Sequence, residues 1–521
     1  MDIILKFKII DCIKRGFGFY KWDVILISWI SLVHFSLGYG VKVIYVLSVF
    51  FGLKLLFCFS RFFYSSIILI LSLIGFIYSP VGIIYGYPDI NVVGSFLYTD
   101  SSESKEFLIG TPFYIYLTSF LIVLIGFFLL KMPFSKKISS SRVKVFFFVF
   151  FVISSTWSAI RQGGILNGDI ALPEIRFVKD LYSAYKKVEG DRVSYSLIIK
   201  SKSIWSPNKS RGEYKNYILV IGESARRDYV HSFGGKYSNT PWLDSAPAMI
   251  FDNYISAGPS TMISLTNTLS LRKGSVLELN NNVVTLASKA GFETWWLSNQ
   301  GSKGHFDSPI SLIGHSADYS EFIKSGSSDD RLISPDENLL PLLDVALNKN
   351  KNENKLIVLH LMGSHPKACI RTNNTYDIDV GAKEVSCYIK SIEMTDQFLS
   401  KVISLANQTG ESWSVMYFSD HGLSYVNKDT QGAYLTHGDK TKENYEVPFF
   451  IINSNSEIKE VVHQPRSALD FMTTFSQWLK ISDRNIPSAC NMLSNENCSN
   501  EDYVIDFNGN YIKFNDLPSV P

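Results

Sequence analysis

One stretch of sequence decides the fold of the second half of the chain. It is the apolar run Tyr217-Ile218-Leu219-Val220-Ile221, followed by Gly222-Glu223-Ser224-Ala225-Arg226. Five consecutive apolar residues are typical of a short strand buried on both faces of a parallel sheet. A second run, Val415-Met416-Tyr417-Phe418, leads in the same way into Ser419-Asp420-His421-Gly422. Groups that follow the carboxyl ends of parallel strands line the crevice where α/β folds bind ligands. We therefore expect Glu223, Asp420 and His421 to meet at one edge of a sheet.

These three side chains have the chemistry of a zinc site. Two carboxylates and one imidazole suit Zn²⁺, and a tetrahedral ion keeps a fourth position for a nucleophile. Thr261, Thr266 and Thr268 supply hydroxyls between the two runs, but a threonine hydroxyl needs a base or a metal to become a nucleophile at neutral pH. Zn²⁺ would hold the oxygen as an alkoxide and polarise a phosphoryl oxygen. The set predicts a metal-activated transferase or hydrolase.

Strand-like and helix-like runs alternate from Asn216 onward. The further strand-like runs are Thr294–Leu297, Lys355–Leu361 and Pro448–Ile452, and the helical patterns include Val283–Ala290, Asn338–Leu347 and Tyr388–Leu405. Alternation of this kind indicates a mostly parallel sheet covered by helices on both faces. Residues 216–521 are therefore predicted to form an α/β domain.

The first 157 residues are dominated by Phe, Ile, Leu and Val. Five apolar stretches approach the roughly 20 residues that a helix needs to cross a bilayer. They are Trp22–Phe35, Ile44–Phe59, Ile67–Ile84, Tyr114–Leu130 and Val145–Trp157. We predict a transmembrane domain of five spans over residues 1–157 and a linker over residues 158–215. The alternative is that one or two stretches are buried or re-entrant. Lys54 lies inside the second stretch and must snorkel or pair within the bundle.

Lysine and arginine residues predict the orientation in the membrane. Five of them precede the first stretch and five lie between the fourth and fifth, whereas loops 36–43 and 85–112 carry only Lys42 and Lys105. This asymmetry predicts a cytoplasmic N-terminus and export of everything after Trp157. The first stretch has no small-residue cleavage site, so we interpret it as an anchor.

The linker is expected to contain an amphipathic helix. Ala171-Leu172-Pro173-Glu174 places a proline and an acidic residue in a first turn, and an apolar stripe continues to Tyr185. Such a helix would lie on the bilayer surface or pack against the exported domain. The polar segment Ser201–Tyr214 is predicted to be a surface linker.

Cysteine usage agrees with export. Cys369 and Cys387, and likewise Cys490 and Cys498, are close in sequence. Four cysteines allow three connectivities, and an oxidising compartment would make the neighbours structural disulfides. Free buried thiols are the alternative. The net charge of +2 gives no indication of nucleic-acid binding.

Six short motifs, in order behind a membrane domain, resemble the phosphoethanolamine transferases that modify bacterial lipopolysaccharide, a family that includes the mobile colistin-resistance enzymes. The motifs are Gly222-Glu223-Ser224-Ala225-Arg226, Ser260-Thr261, Gly301-Ser302-Lys303-Gly304, Gly363-Ser364-His365-Pro366, Ser419-Asp420-His421-Gly422 and Thr436-His437-Gly438. The resemblance covers nearly the whole chain. It implies an alkaline-phosphatase/sulfatase-like domain anchored in the bacterial inner membrane, with the catalytic domain in the periplasm.

By this resemblance, Thr261 has two roles. It is a metal ligand with Glu223, Asp420 and His421, and it is the nucleophile that forms a phosphothreonine-like intermediate, which divides transfer into two displacements. A structural role for Thr261 as a helix N-cap is compatible with catalysis, because a helix N-terminus also stabilises an anion.

Lys303, His365 and His437 form a second group. The resemblance implies that they bind the phosphoethanolamine group or hold additional zinc, and an ammonium and two imidazoles can also contact phosphoryl oxygens or protonate a leaving oxygen. His360 ends a strand-like run, where a catalytic role and a role as a core histidine are equally open.

A loop expected outside the membrane carries Thr99 and Glu103. In the family a similar loop places Asn, Thr and Glu near the donor lipid, and here Ser95 replaces the Asn. Glu103 would pair with the ammonium of the donor, and a solvated acidic loop is the alternative.

Two departures from the family pattern bear on the acceptor. His365 is followed by Pro366 instead of Gly-Pro, and the run Thr294–Gln300 differs from that of the lipid A-specific enzymes. Both favour a core sugar or another surface glycan. The prediction is zinc-dependent transfer of phosphoethanolamine from phosphatidylethanolamine to a lipopolysaccharide acceptor. A phosphoglycerol transferase or phosphatase of the same fold, and a non-catalytic membrane-anchored assembly protein, are the alternatives. A sulfatase is disfavoured, because Gly258–Leu265 contains no Cys.

Overall fold

The structure is a computed structural model of the chain. It describes residues 21–98, 104, 107–108, 111–131, 141–161, 172–273, 276–302, 308–325, 334–486, 490–498 and 502–520. The chain divides into two compact units, of which the first comprises Met1–Leu97 and Gly110–Glu189 and the second comprises Tyr98–Ile109 and Gly190–Pro521.

The first unit is helical. Its helices are α1 (21–36), α2 (Val43–Phe59), α3 (Arg61–Tyr85), α4 (Ile90–Tyr98), α5 (Phe113–Leu130), α6 (Ser141–Arg161) and α7 (Pro173–Ile199), the last of which continues into the second unit. Among the described helices, α3 and α5 are long and apolar enough to cross a membrane, and α2 and the stretch Lys144–Thr156 are shorter apolar helices. The five-span count therefore stays a prediction.

Polar contacts inside the first unit follow from its apolar surroundings. Lys54 pairs with Asp23 at 2.6 Å, which is one of the two outcomes expected for a lysine in an apolar helix. The first turns of α7 pack within this unit: Glu174 lies 2.9 Å from His34, and Phe177 is buried in the unit's apolar core.

The second unit is built on an eight-stranded sheet in the order β13-β2-β12-β9-β1-β8-β6-β7. The strands of this unit are β1 (Asn216–Gly222), β2 (Met249–Phe251), β3 (Tyr254–Ile255), β4 (Ser270–Lys273), β5 (Val276–Asn282), β6 (Glu293–Ser302), β7 (Tyr319–Ser325), β8 (Lys355–His360), β9 (Trp413–Ser419), β10 (Ser424–Val426), β11 (Tyr434–Thr436), β12 (Phe449–Asn453), β13 (Glu460–Val462), β14 (Arg466–Ser467), β15 (Tyr503–Ile505) and β16 (Tyr511–Lys513). The five strands from β9 to β7 are parallel, whereas β12 runs antiparallel to both of its neighbours. The sheet is thus mixed, and the predicted parallel part is its centre.

Helices cover both faces of the sheet. They are α8 (Pro241–Ser245), α9 (Thr261–Leu269), α10 (Val283–Ala290), α11 (Pro309–Gly314), α12 (Leu340–Asn348), α13 (Ala368–Arg371), α14 (Lys383–Gln408) and α15 (Phe471–Trp478). Alternate residues of β1 enter separate cores: Tyr217, Leu219 and Ile221 pack in one, and Ile218 and Val220 pack in the other. A strand with two buried faces explains the continuous apolar run in the sequence.

Two predictions about the second unit have clear outcomes. The disulfides Cys369–Cys387 and Cys490–Cys498 are both present, so the local pairing is confirmed. The segment 201–214 is not purely a surface linker, because the Trp205 side chain is 5% exposed and packs in the core. An isolated tryptophan in a polar segment gives no periodic signal that would predict its burial.

Candidate active site

Neighbouring strands bring the first candidate residues together. Glu223 follows β1 and Asp420 follows β9, and these strands are paired in register from Asn216 to Gly222. Glu223, Asp420 and His421 are at most 1% exposed. The three residues therefore lie at one edge of the sheet, as expected.

Thr261 is the first residue of α9, and it reaches the same point. Its Oγ1 donates a hydrogen bond to Glu223 Oε2 at 2.9 Å. The rival hydroxyls are used differently, because Thr266 donates to the Met262 carbonyl and Thr268 to the Ser264 carbonyl inside the helix. Thr261 is therefore the one of the three whose hydroxyl bonds to the carboxylate cluster.

The imidazole and carboxylate atoms of the cluster have the chemistry of cation ligands. His421 Nδ1 donates to the Gly422 carbonyl at 2.7 Å, which leaves Nε2 facing the carboxylates, 3.3 Å from Glu223 Oε1 and 3.5 Å from Asp420 Oδ2. His421 Nε2 and Asp420 Oδ2 are buried without a hydrogen-bond partner among the described residues. Buried polar atoms are normally satisfied. Two carboxylates and an imidazole that leave such atoms unused form a donor set that suits Zn²⁺.

Burial and neighbouring charges shift the pKa values in this cluster. Burial raises the pKa of Asp420 to about 7, and the charge of Glu223 adds to this effect. Burial alone would lower the pKa of His421, but Asp420 and Glu223 raise it to about 9. Burial alone would raise the pKa of Glu223, yet the adjacent His421 imidazole holds it well below its usual range. Two buried carboxylates beside one imidazole carry excess negative charge, which a divalent cation would neutralise.

Two further histidines extend the cluster beyond His421. The ring of His437 is 4.9 Å from that of His421, and the ring of His365 is 5.8 Å from that of His437. Ligand atoms of Glu223, His421 and His437 all lie within 4.8 Å of one another, so His437 joins the possible metal set. Burial lowers the pKa of His365 to about 4 and that of His437 to about 3. Both imidazoles are therefore neutral at pH 7 and can accept a proton or a metal ion.

Three comparisons with known proteins agree on the family of this chain. The family model described as "Sulfatase" matches residues 215–481. The chain is 33% identical to the phosphoethanolamine transferase OpgE of Escherichia coli K12, over 99% of this chain and 98% of that protein. The chain belongs to the phosphoethanolamine transferase family. It is also 29% identical to the phosphoethanolamine transferase EptA of Helicobacter pylori over 71% of this chain and 72% of that protein.

Solved structures of phosphoethanolamine transferases show the same fold. The integral membrane protein lipooligosaccharide phosphoethanolamine transferase A of Neisseria meningitidis matches with a TM-score of 0.58 and 18% identity, over 89% of this chain and 97% of that one. The C-terminal periplasmic domain of EptC from Escherichia coli, in a complex with Zn, matches with a TM-score of 0.52 and 20% identity, over 61% of this chain and 96% of that one. The fold is thus an alkaline-phosphatase/sulfatase-like α/β fold preceded by helices.

Several predicted residues are not part of the described site. Lys303, Thr99 and Glu103 lie outside the residues that the structure describes. His360 is 3% exposed, and its Nδ1 lies 3.3 Å from Ser298 Oγ. Its Nε2 has no hydrogen-bond partner in the part of the chain that the structure describes, so a catalytic role and a core role both stay open.

Sequence reasoning missed two groups that hold Glu223. Gln300 Nε2 donates to Glu223 Oε2 and to the Leu361 carbonyl, both at 3.0 Å. Ser224 Oγ donates to Glu223 Oε1 at 2.6 Å. Gln300 stands in the run that departs from the lipid A-specific enzymes, but only the folded sheet brings its amide to Glu223.

Proposed function

We propose that this phosphoethanolamine transferase moves phosphoethanolamine from phosphatidylethanolamine to a lipopolysaccharide acceptor, lipid A or a core sugar, through a phosphothreonine intermediate at Thr261. The observation that carries the proposal is the hydrogen bond from the Thr261 hydroxyl to Glu223 inside the buried cluster of Asp420 and His421. A hydroxyl in contact with a carboxylate at a candidate metal set has the partners that a nucleophile requires.

Glu223, Asp420, His421 and Thr261 would hold Zn²⁺. When bound, the ion supplies charge that stabilises the threonine alkoxide and polarises the phosphoryl oxygen. Glu223 Oε2 is placed to accept the Thr261 proton across 2.9 Å. Thr261 Oγ1 then attacks the donor phosphorus, the bond to the diacylglycerol oxygen breaks, and that oxygen leaves with the electron pair and takes up the proton that Glu223 accepted.

The second displacement requires a base for the acceptor hydroxyl. His365 and His437 are neutral at pH 7, so either imidazole can accept that proton as the acceptor oxygen attacks phosphorus. Thr261 Oγ1 leaves with the electron pair and takes up this proton, which regenerates its hydroxyl. The same lowered pKa values disfavour the alternative in which these histidines protonate the first leaving oxygen. Lys303, Thr99 and Glu103 stay proposed substrate contacts.

The donor places the enzyme at a membrane. We propose five spans within residues 1–157, a linker over 158–215 and a periplasmic catalytic domain over 216–521, in the bacterial inner membrane. The apolar helices α3 and α5 support the membrane part, and the two disulfides support an oxidising compartment.

Mass spectrometry of lipopolysaccharide from cells with and without the protein tests this proposal. A gain of one phosphoethanolamine is expected only with the active protein, and fragmentation places it on lipid A or on the core. Thr261→Ala is the matched control. Unchanged lipopolysaccharide alongside a different phosphoethanolamine-modified product would contradict the proposed acceptor, and the absence of any modified product would contradict the transfer.

A further inference from the structure

Ser224 has a strained backbone conformation beside the carboxylate cluster. Its φ is +57°, in the left-handed region that residues other than glycine rarely adopt. The residue is also buried. A conformation of this kind is costly, and it persists only where the surrounding structure holds it in place. The contacts of Ser224 therefore indicate what holds this turn and what the turn holds.

Each polar group of Ser224 has a partner. Its backbone N–H donates a hydrogen bond to Asp420 Oδ1 at 3.0 Å, and its Oγ donates to Glu223 Oε1 at 2.6 Å. Its carbonyl accepts a hydrogen bond from the Tyr388 hydroxyl at 2.7 Å. Two of these three bonds orient carboxylates of the candidate metal set, and the third joins the turn to helix α14.

The Tyr388 hydroxyl bridges two backbone groups of the turn. It donates to the Ser224 carbonyl, and it accepts a hydrogen bond from the backbone N–H of Arg226 at 2.8 Å. Tyr388 is itself buried, and the preceding residue, Cys387, forms the disulfide with Cys369. The tyrosine is therefore fixed in the fold, and a single oxygen atom of it ties together both ends of the strained turn.

A second buried tyrosine makes the same kind of contact far from the cluster. The Tyr217 hydroxyl accepts hydrogen bonds from the backbone N–H groups of Glu213 and Tyr214 at 2.7 and 3.2 Å. That turn precedes β1, whereas the Ser224 turn follows β1. The two hydroxyls thus hold turns at opposite ends of one strand. They differ in that the turn held by Tyr388 continues into bonds to the two carboxylates.

We propose that Tyr388 is a positioning residue for transfer, whose hydroxyl keeps Ser224 in the left-handed conformation from which that residue orients both carboxylates. The inference rests on the proposed function, in which Asp420 and Glu223 hold zinc and Glu223 accepts the Thr261 proton. Tyr388 acts through the turn and takes no part in the chemistry. Without its hydroxyl the turn can relax towards negative φ, which moves the Ser224 N–H and Oγ away from the carboxylates.

Tyr388→Phe in the full-length protein removes this one oxygen, and Tyr217→Phe is the matched control. Both variants leave backbone groups without a partner, so both should lower Tm. Tyr388→Phe alone should weaken zinc binding roughly 10- to 100-fold, as is typical for the loss of a group that orients a metal ligand. Competition with a zinc chelator measures this change. At saturating zinc, kcat of Tyr388→Phe should fall while KM for phosphatidylethanolamine stays unchanged, because the turn orients the reacting groups.

Hydrogen exchange in the zinc-free protein provides an arm that needs neither metal nor substrate. Tyr388→Phe removes the acceptor of the Arg226 amide, so this amide should exchange faster. The Ser224 amide bonds to Asp420 and not to the tyrosine, yet it should also exchange roughly 10-fold faster, because the turn has relaxed. In Tyr217→Phe both amides should exchange as in the wild type.

Unchanged exchange of the Ser224 amide in Tyr388→Phe would show that the turn keeps its conformation without the tyrosine, and it would overturn the proposal. Equal zinc affinity in Tyr388→Phe and Tyr217→Phe would also overturn it, because Tyr388 would then serve stability alone. A wild-type protein that binds no zinc would instead contradict the proposed function. The exchange of the Ser224 amide would still decide whether Tyr388 holds the turn.

Discussion

Glu223 accepts hydrogen bonds from Ser224, Thr261 and Gln300, and its Oε1 lies 3.3 Å from His421 Nε2. The sequence predicts Glu223, Asp420 and His421, because each directly follows an apolar strand. Thr261 was selected by its resemblance to a family motif. Gln300 could not be predicted, because nothing in a strand sequence says which neighbouring side chain it will contact.

Gln300→Met is expected to weaken zinc binding roughly 10- to 100-fold, as is typical for the loss of a group that orients a metal ligand. Titration with a zinc chelator measures this change. Gln397→Met is the control, because Gln397 is exposed on α14 and bonds to Glu393 at 2.9 Å. Equal zinc affinity in the two variants would show that Gln300 does not position Glu223.

His360→Leu should remove part of the acid sensitivity of folding. Burial lowers the pKa of His360 to about 4, against a smaller opposing effect of Glu223, and in the unfolded chain it returns to ~6.5. The neutral side chain therefore contributes stability that is present above pH 6.5 and is lost as the pH falls towards 4, at up to about 1.4 kcal/mol per pH unit. Denaturant unfolding between pH 7 and pH 4.5 should show a shallower loss in the variant. Parallel curves would contradict this assignment.

At the scale of elements, the sequence predicts some helix boundaries more accurately than others. Helix α10 matches its predicted range Val283–Ala290, because Asn282 caps its start and Gly291 ends it with φ +104°. Helix α14 begins at Lys383 and not at the predicted Tyr388, since its first turn contributes few apolar residues to the pattern. The antiparallel direction of β12 was not predicted, because an apolar run carries no information about strand direction.

The disulfide Cys369–Cys387 joins α13 to α14, and α13 closely follows the turn that carries His365. Replacing both cysteines with serine should lower the free energy of unfolding by about 3 kcal/mol, the loop-entropy value for a loop of this length. The Cys490–Cys498 pair closes a shorter loop of sequence separation 8, so the corresponding double variant should lose less. Denaturant unfolding measures both. The opposite order would contradict the entropic explanation.

At the scale of the whole molecule, a change in composition that extends over hundreds of residues predicts a membrane part followed by a globular part, and the resemblance of six motifs implies that the globular part is sulfatase-like. The fold of the second unit and its family are confirmed. The number of spans stays a prediction. Helix length and apolarity together support α3 and α5 as membrane spans. The shorter apolar helices could be either spanning or buried segments by the same criteria.

Topology is tested with reporter fusions. A fusion after Lys137 should report the cytoplasm, and fusions after Asp100 and Lys200 should report the outside, because lysine and arginine cluster in the loops expected inside. Reversed signals would contradict both the orientation and the oxidising environment assigned to the disulfides.

The most direct measurement concerns Thr261. The zinc-loaded protein is incubated with phosphatidylethanolamine and no acceptor, quenched in acid, digested and analysed by peptide mass spectrometry. The account predicts one phosphoethanolamine on Thr261, the same modification on the serine of Thr261→Ser, and none in Thr261→Ala. Thr266→Ala should be modified like the wild type, because the Thr266 hydroxyl bonds to its own helix. Phosphoethanolamine on another residue, or wild-type transfer by Thr261→Ala, would contradict the account.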